Sequence, residues 1–404
     1  MFRSMPILFA VALAAHAALA VGPEFEARFV FDPEQAIEPH GHVHASCIVE
    51  CPNGDLRAVW YENGRELPDP YFKKDKDKSA DVRIGGSRMQ RGAQEWEQPF
   101  VMADTFGVSD NNPCMVIDSH SRLWLFYPTL LGVPDWTWGS GLVHYRVASR
   151  YDHPGRPTWD KSNILVPQTE GPENVIEAAL KARKDEGWPD DKIAEARAFV
   201  EAQQARPLAA RLGWFPRAHP VIRLDGTLVL PLANENTGVV CMAFTNDVGE
   251  TWTYSKPVPD LFMEQPTIAQ YPDGTMTAFF RNDSGRIKRS DSTDGGMTWG
   301  QVSRTDRPHP NAGIEAIVLA SGKLLLIYND QEKERDSLAV SLSDDRGTTW
   351  KWTRHLEQTK GGRFDYPSVV QGEDGSIHAT YSYNLRTIKH VRFNEAWVME
   401  GDQP

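Results

Sequence analysis

Cysteine is scarce in this chain, with four among 404 residues. That excludes a disulfide-dense scaffold, and the lack of paired C-x-x-C spacing excludes a zinc-finger type of metal site. Cys47 and Cys51 have even spacing on an expected strand, so they face the same way yet stand too far apart along it to bridge. Buried free thiols and a single bridge among the four both remain open. Positive charge is also short: 43 Lys and Arg against 55 Asp and Glu give a net charge of −12, with no basic run. A nucleic-acid partner, which needs a basic face, is therefore not expected. Beyond residue 20 no apolar run approaches the roughly 18 residues of a membrane helix. Residues 1–20 combine Arg3, a short apolar run and a small-x-small end at Ala18-Leu19-Ala20. This is the pattern of a secretory signal, so a mature chain without a membrane span, secreted or periplasmic, is expected.

What is abundant points to strands and turns. Thirteen Trp stand with 31 Gly and 28 Pro, a mixture that suits many short strands. Three segments are near copies: Thr245 to Trp252 (TNDVGETW), Ser292 to Trp299 (STDGGMTW) and Ser343 to Trp350 (SDDRGTTW). Each reads S/T-x-D-x-G-x-T-W. In such a unit the Asp caps turn amides, the Gly permits a positive φ and the Trp folds back over the turn. Upstream of each copy two apolar runs flank a D-G or S-G turn, at Asp225-Gly226, Asp273-Gly274 and Ser321-Gly322. The same hairpin signal recurs at Asn53-Gly54, Ser119–Ser121 and Asp374-Gly375.

This predicts six four-stranded units, starting near residues 44, 113, 216, 264, 311 and 365. The fold expected is all-β, a six-bladed β-propeller spanning 21–404. The last unit is one strand short, and Phe25–Phe31 is the candidate that closes the ring. From 173 to 211 the composition turns Ala/Glu/Lys/Arg-rich with apolar residues at helical spacing, which predicts a helical insertion between blades 2 and 3. It serves either as a packing ornament or as a lid over the pocket.

The boxes resemble the Asp-box (BNR) repeats of sialidases, and the chain from His44 to His390 is similar to the BNR-repeat "predicted neuraminidase" group of that superfamily. The resemblance implies an exo-acting glycosidase on a terminal acidic sugar. In that chemistry arginines hold the substrate carboxylate, a Tyr attacks the anomeric carbon with a Glu taking its proton, and an Asp serves as acid and base. Carried over residue by residue, Tyr366 in Asp365-Tyr366-Pro367-Ser368 is the expected nucleophile and Glu264 in Glu264-Gln265-Pro266 its partner. Arg281 matches one arginine of the family's triad. Asp81 is the expected acid/base, with Asp77 and Asp110 as competitors.

Two departures stand out. The first blade reads His42-Val43-His44 where sialidases have an Arg-Ile-Pro element, and the fifth reads Pro310 to Glu315 without an arginine. Arg217 and Arg386 are the expected substitutes from other blades. A propeller also supplies its own geometric filter, because the leading residues of the inner strands converge on one end of the channel. That filter adds His44, Asn112, Gln265 and Glu315 as substrate-binding candidates. The His40-Gly41-His42-Val43-His44 run has alternate imidazoles on one face, a metal-binding pattern, but the preferred reading sets His44 at the channel mouth as a sugar contact or proton carrier. No metal and no cofactor are expected; the partner expected is an acidic glycan. Two other readings stay open: a polysaccharide lyase using His44 or Tyr366 on a uronic acid, and a carbohydrate-binding propeller without turnover.

Overall fold

Each unit read from the sequence becomes an antiparallel sheet in the computed structural model, which describes residues 22–32, 34, 42–63, 76–132, 137–170, 172–206 and 208–402. Residues 1–20, expected to be a secretory signal, lie outside the described residues. Blade 1 holds Val43–Glu50, Leu56–Asn63, Val82–Met89 and Phe100–Ala103. Blade 2 runs from Ser109–Asp110 and Cys114–Ile117 through Leu123–Leu130 and Gly141–Ala148 to Lys161–Leu165. Blades 3, 4 and 5 are centred on Leu228–Asn234, Met276–Arg281 and Leu324–Tyr328. Blade 6 joins Phe364–Gln371, Ile377–Tyr383 and Thr387–Phe393 to the early strand Phe25–Phe29, which pairs Phe25 with Phe393 and Phe29 with Lys389. The ring is therefore a six-bladed β-propeller, and its two ends meet in one sheet. Asn394 ties the seam further, donating to the Gly22 carbonyl at 2.7 Å and accepting from Glu24 N at 3.2 Å.

Why the second strands read as continuous apolar runs follows from the packing. Every blade is covered on both faces by its neighbours, so Leu228–Asn234 and Leu324–Tyr328 are buried at every position. The boxes sit at the other end of the physics, between the third and fourth strands of blades 3, 4 and 5. In the second box Ser292 Oγ donates to Asp294 at 2.8 Å and accepts from Gly296 N at 2.9 Å, while Asp294 accepts from Thr298 N and Oγ1 at 2.9 and 2.5 Å. Thr245/Asp247/Thr251 and Ser343/Asp345/Thr349 repeat the pattern. These bonds hold the Asp247 and Asp345 carboxyls down to about 2. The closing tryptophan of each box meets the preceding blade: Trp252 packs on Phe126 and Tyr145, Trp299 joins the Val229/Phe244 cluster, and Trp350 meets Phe279. The box is thus a turn and an inter-blade wedge at once.

Between blades 2 and 3 stand helices α1 (Ile176–Asp185) and α2 (Asp190–Gln204). Ile176, Ala179, Leu180 and Val200 join the main core. Arg183 is buried and reaches the segment between blades 3 and 4, at 3.1 Å from Asp260 and 2.7 Å from the Leu261 carbonyl. Lys288 of blade 4 meets the same carboxylate at 2.9 Å. All four cysteines are buried free thiols. Among the described residues no helix is long and apolar enough to cross a membrane.

Candidate active site

In four blades the inner strand slips register at the same height. His44 pairs with Tyr61 but Cys47 with Val59, Asp110 with Thr129 but Cys114 with Phe126, Glu264 with Arg281 but Thr267 with Phe279, and Asp365 with Ser382 but Ser368 with Thr380. Each slip contains one left-handed residue: Ala45 (φ 55°), Asn112 (37°), Gln265 (45°) and Tyr366 (54°). In three of them the next residue is a proline (113, 266 and 367), which has no N–H to offer the ladder. A tyrosine with positive φ is a strained conformation, costing about 1–3 kcal/mol, and strain of this kind persists where surrounding structure over-determines it. The bulges turn Asn112, Gln265 and Tyr366, and in blade 1 His44 beside Ala45, out of the sheets and into the channel mouth.

They meet around a cavity of about 340 Å³. Blade 1 contributes His42, His44, Tyr61 and Asp77; blade 2, Asn112 and Trp138; blades 3 and 4, Glu235, Glu264, Gln265 and Arg281; blades 5 and 6, Arg335, Arg363 and Tyr366. Tyr366 lies at the centre. Its hydroxyl accepts from Arg281 Nη1 at 2.5 Å and from Gln265 Nε2 at 3.3 Å. The guanidiniums of Arg217, Arg281 and Arg335 stand 5.3, 5.7 and 5.9 Å from its ring centre. His44 packs its imidazole against the same ring, 4.1 Å between centroids. Burial keeps that imidazole neutral, well below its usual range, despite the neighbouring Asp365.

Two carboxylates fix the arginines. Glu264 stands 3.2 Å from Arg281 Nε. The tyrosine and the glutamate therefore share one guanidinium, with no direct hydrogen bond between them among the described residues. Asp365, wholly buried, holds Arg335 at 2.8 Å and Arg363 at 3.0 Å. Burial alone would raise its carboxyl; His44 and the two arginines outweigh that and hold it below the usual range. Asn311 adds a brace, accepting from Arg281 Nε at 2.7 Å and, through its carbonyl, from Arg335 at 2.7 Å. Glu235 differs: desolvation and the nearby Glu264 push its carboxyl up to about 7, against the pull of Arg281 and Lys78.

The structure thus brings Tyr366, Glu264, Arg281, His44, Asn112 and Gln265 together at the cavity wall. Arg217 and Glu315 lie one layer deeper in the channel, both buried. Arg217 donates to the Pro367 carbonyl at 2.5 Å, and Glu315 accepts from His219 Nδ1 at 2.8 Å and Val369 N at 2.9 Å. Asp81 is off the wall, bonded to Ser79 and Asn63, while its competitor Asp77 lines the cavity. The other competitor, Asp110, is buried and accepts from Thr129 at 2.5 Å and Thr105 N at 2.7 Å. Arg386 is exposed on a turn whose preceding residues, Asn384 and Leu385, are left-handed. Of the histidine run, His40 lies outside the described residues, and His42 and His44 stand edge to face at 5.6 Å. Sequence reasoning missed Arg335 and Arg363. The first sits in a polar loop without periodicity; the second stands two residues before Asp365, a spacing that sets both on one face of the strand.

The BNR repeat-like domain family matches residues 200–379. The chain is 23% identical over 181 residues to an anhydrosialidase of Macrobdella decora and 26% identical over 168 residues to a sialidase of Micromonospora viridifaciens. These matches cover 39% and 38% of this chain but only 23% and 25% of the relatives' own length. The NanB sialidase of Streptococcus pneumoniae superposes with a TM-score of 0.66 at 11% identity, over 92% of this chain and 71% of that one, a likeness of fold. The repeated boxes, the family match over 200–379 and the six-bladed ring together make this chain similar to the BNR-repeat proteins of the sialidase superfamily.

Proposed function

We propose that this protein is an exported exo-glycosidase of the sialidase kind, acting on a terminal acidic sugar of a glycan. The observation that carries the reading is the Tyr366 hydroxyl held at 2.5 Å by Arg281 inside a cavity that also holds Glu264, Asp77, Arg335 and Arg363. The substrate carboxylate pairs with guanidiniums, for which Arg335 and Arg363, both anchored on Asp365, are preorganised. Tyr366 Oη forms the bond to the anomeric carbon as the glycosidic C–O bond breaks. Glu264 takes the phenolic proton, while Arg281 and Gln265 donate to the oxygen as charge develops on it. The acid/base role falls to Asp77 rather than Asp81, because only Asp77 faces the cavity. It protonates the leaving oxygen and then takes a proton from the water that releases the sugar.

A second reading has one observation in its favour. His44 is neutral and packed against Tyr366, so it offers a base beside a phenol, the pair that β-elimination from a uronic acid requires. Product analysis on a panel of acidic glycans separates the two. The hydrolase reading expects a free acidic sugar and a saturated remainder. An unsaturated, ultraviolet-absorbing product supports elimination instead, and binding without any product leaves a carbohydrate-binding propeller. Export through residues 1–20 is checked by the N-terminal sequence of protein recovered outside the cytoplasm.

A further inference from the structure

The inner strands run the length of the channel, and their far ends frame a second mouth. Val43–Glu50, Cys114–Ile117, Glu264–Gln270 and Phe364–Gln371 begin at or beside the first cavity. Glu50, Ile117, Gln270 and Gln371, at their other ends, line a separate cavity of about 500 Å³. A strand rises about 3.3 Å per residue, so Val370 lies ~13 Å along its strand from Tyr366. The two cavities share no lining residue.

Every blade gives this far mouth an aliphatic side chain: Val49, Ile117, Val221, Ile268, Ile317 and Val370. Ile117, Val221, Ile317 and Val370 stay only half-buried. The polar groups of the wall are already bonded within the protein. Glu315 accepts from His219 N, His219 Nδ1 and Val369 N at 2.7, 2.8 and 2.9 Å, and His219 Nε2 faces the Ile48 carbonyl at 2.6 Å. Thr267 Oγ1 accepts from Ala316 N at 3.1 Å. Gln270 donates to the Ile222 carbonyl at 3.1 Å, while Gln371 accepts from Ala320 N at 2.7 Å and donates to the Gly375 carbonyl at 3.1 Å. A sugar would give up its hydrogen bonds to water here and find few replacements.

Glu50 is the exception. It sits half-buried at the rim, accepts from Glu373 N at 2.8 Å and has no ion-pair partner among the described residues. Burial, with Asp374 and Glu373 nearby, raises its carboxyl against the pull of that amide and of Arg91. The described lining of the cavity holds neither lysine nor arginine, and no Phe, Tyr or Trp.

We propose that the far mouth of the channel is a binding site for a compact aliphatic cation, its hydrocarbon body in the six-sided cup and its ammonium group on Glu50. Apolar burial supplies the affinity, and the lone carboxylate supplies the choice of charge. A cup walled from six sides is filled more completely by a hydrocarbon cage than by a flat ring or an extended chain. The site is independent of the glycosidase reading, because nothing in its wall belongs to the first cavity.

The test uses the full chain and three cage compounds that differ in charge: 1-aminoadamantane, 1-adamantanol and adamantane-1-carboxylate. Each is titrated at about pH 8 by isothermal calorimetry into wild type, Glu50→Gln and Ile317→Arg, with melting temperatures to confirm folding. The wild type is expected to bind the amine about fivefold more tightly than the alcohol, and the carboxylate most weakly. Glu50→Gln levels the amine with the alcohol. Ile317→Arg, which fills and charges the cup, loses both. Absent amine binding by the wild type overturns the inference, as does carboxylate binding equal to the amine's. A preference for the amine that survives in folded Glu50→Gln, or amine binding that survives in folded Ile317→Arg, sets the ligand elsewhere and overturns it as well. If Ile317→Arg does not fold, Glu50→Gln, changed only at the rim, decides alone.

Discussion

The outer rim and the channel mouth of this propeller solve opposite problems. At the rim, three boxes repeat the same satisfied bonds, with every Asp accepting from its own turn and every Trp sealing the neighbouring blade. At the mouth, repetition stops at the backbone. The register slips at the same height in four blades, but the residue in each slip differs: Ala45, Asn112, Gln265 and Tyr366. The rim is made of local bonds that cost nothing elsewhere. The mouth concentrates buried charge, whereas left-handed residues and buried polar atoms without a partner occur in both regions: Tyr366 and Arg217 Nε at the mouth, Val248, Arg346 and Trp252 Nε1 at the rim. Architecture comes from what the blades share, and chemistry from where they part.

Substitutions that separate these two roles test the comparison. Tyr366→Phe keeps the ring and loses the oxygen, so turnover of an acidic glycan is expected to fall about 10³-fold, or ~4 kcal/mol, with an unchanged melting temperature. Near-normal turnover would make the mouth a binding cup only. Asp365→Asn leaves Arg335 and Arg363 without their buried anchor. A stability loss of about 3 kcal/mol by denaturant unfolding is expected, with a raised KM for the acidic sugar. A change confined to stability would sever this carboxylate from recognition.

At the rim the expected outcome reverses. Asp294→Ala should cost about 1 kcal/mol, as the loss of a capping side chain does, and leave kcat/KM unaltered. Because the folded carboxyls of the boxes lie below their unfolded values, their stabilisation is present above about pH 4 and disappears as pH falls toward 2. Urea midpoints measured across that interval read it out.

Two smaller pH effects sharpen the contrast. Glu235 lines the cavity with a carboxyl raised to about 7, so it becomes anionic as pH rises through neutrality and then repels the substrate carboxylate. KM should climb above about pH 7 in the wild type, and the climb should be absent in Glu235→Gln. His355, bonded to Asp330 and Asp402, is raised to about 9. Its folded value exceeds the unfolded one, so the stabilisation is complete below about pH 6.5 and is lost as pH rises toward 9. Urea midpoints of His355→Gln should be flat over that interval.

The same contrast explains what the sequence could tell. The boxes and the D-G turns are local signals with fixed spacing, and they yielded the blades, the ring and the closing strand. Tyr366, Glu264 and Arg281 were legible because they head or end strands that the topology brings together. Arg335 was not, since a loop residue acquires its position from a tertiary partner, here Asp365 and the Asn311 carbonyl, and no periodicity encodes that. Arg386 is an expected substitute arginine, yet it follows two left-handed residues and its side chain is exposed. Asp77 and Asp81 have the same chemistry four positions apart, and only the fold distinguishes the one facing the cavity from the one tied to Ser79 and Asn63.

The seam in blade 6 carries one last implication, for the order of assembly. A nascent chain makes Phe25–Phe29 long before its partner Thr387–Phe393, so the circle stays open until the sixth blade has been made. Because the latching strand is the outermost of its sheet, peeling it away from its N-terminal end strips the periphery first and leaves the axial cup intact. A tether pulled from that end should therefore release a short flap at low force before any step that costs the protein its chemistry.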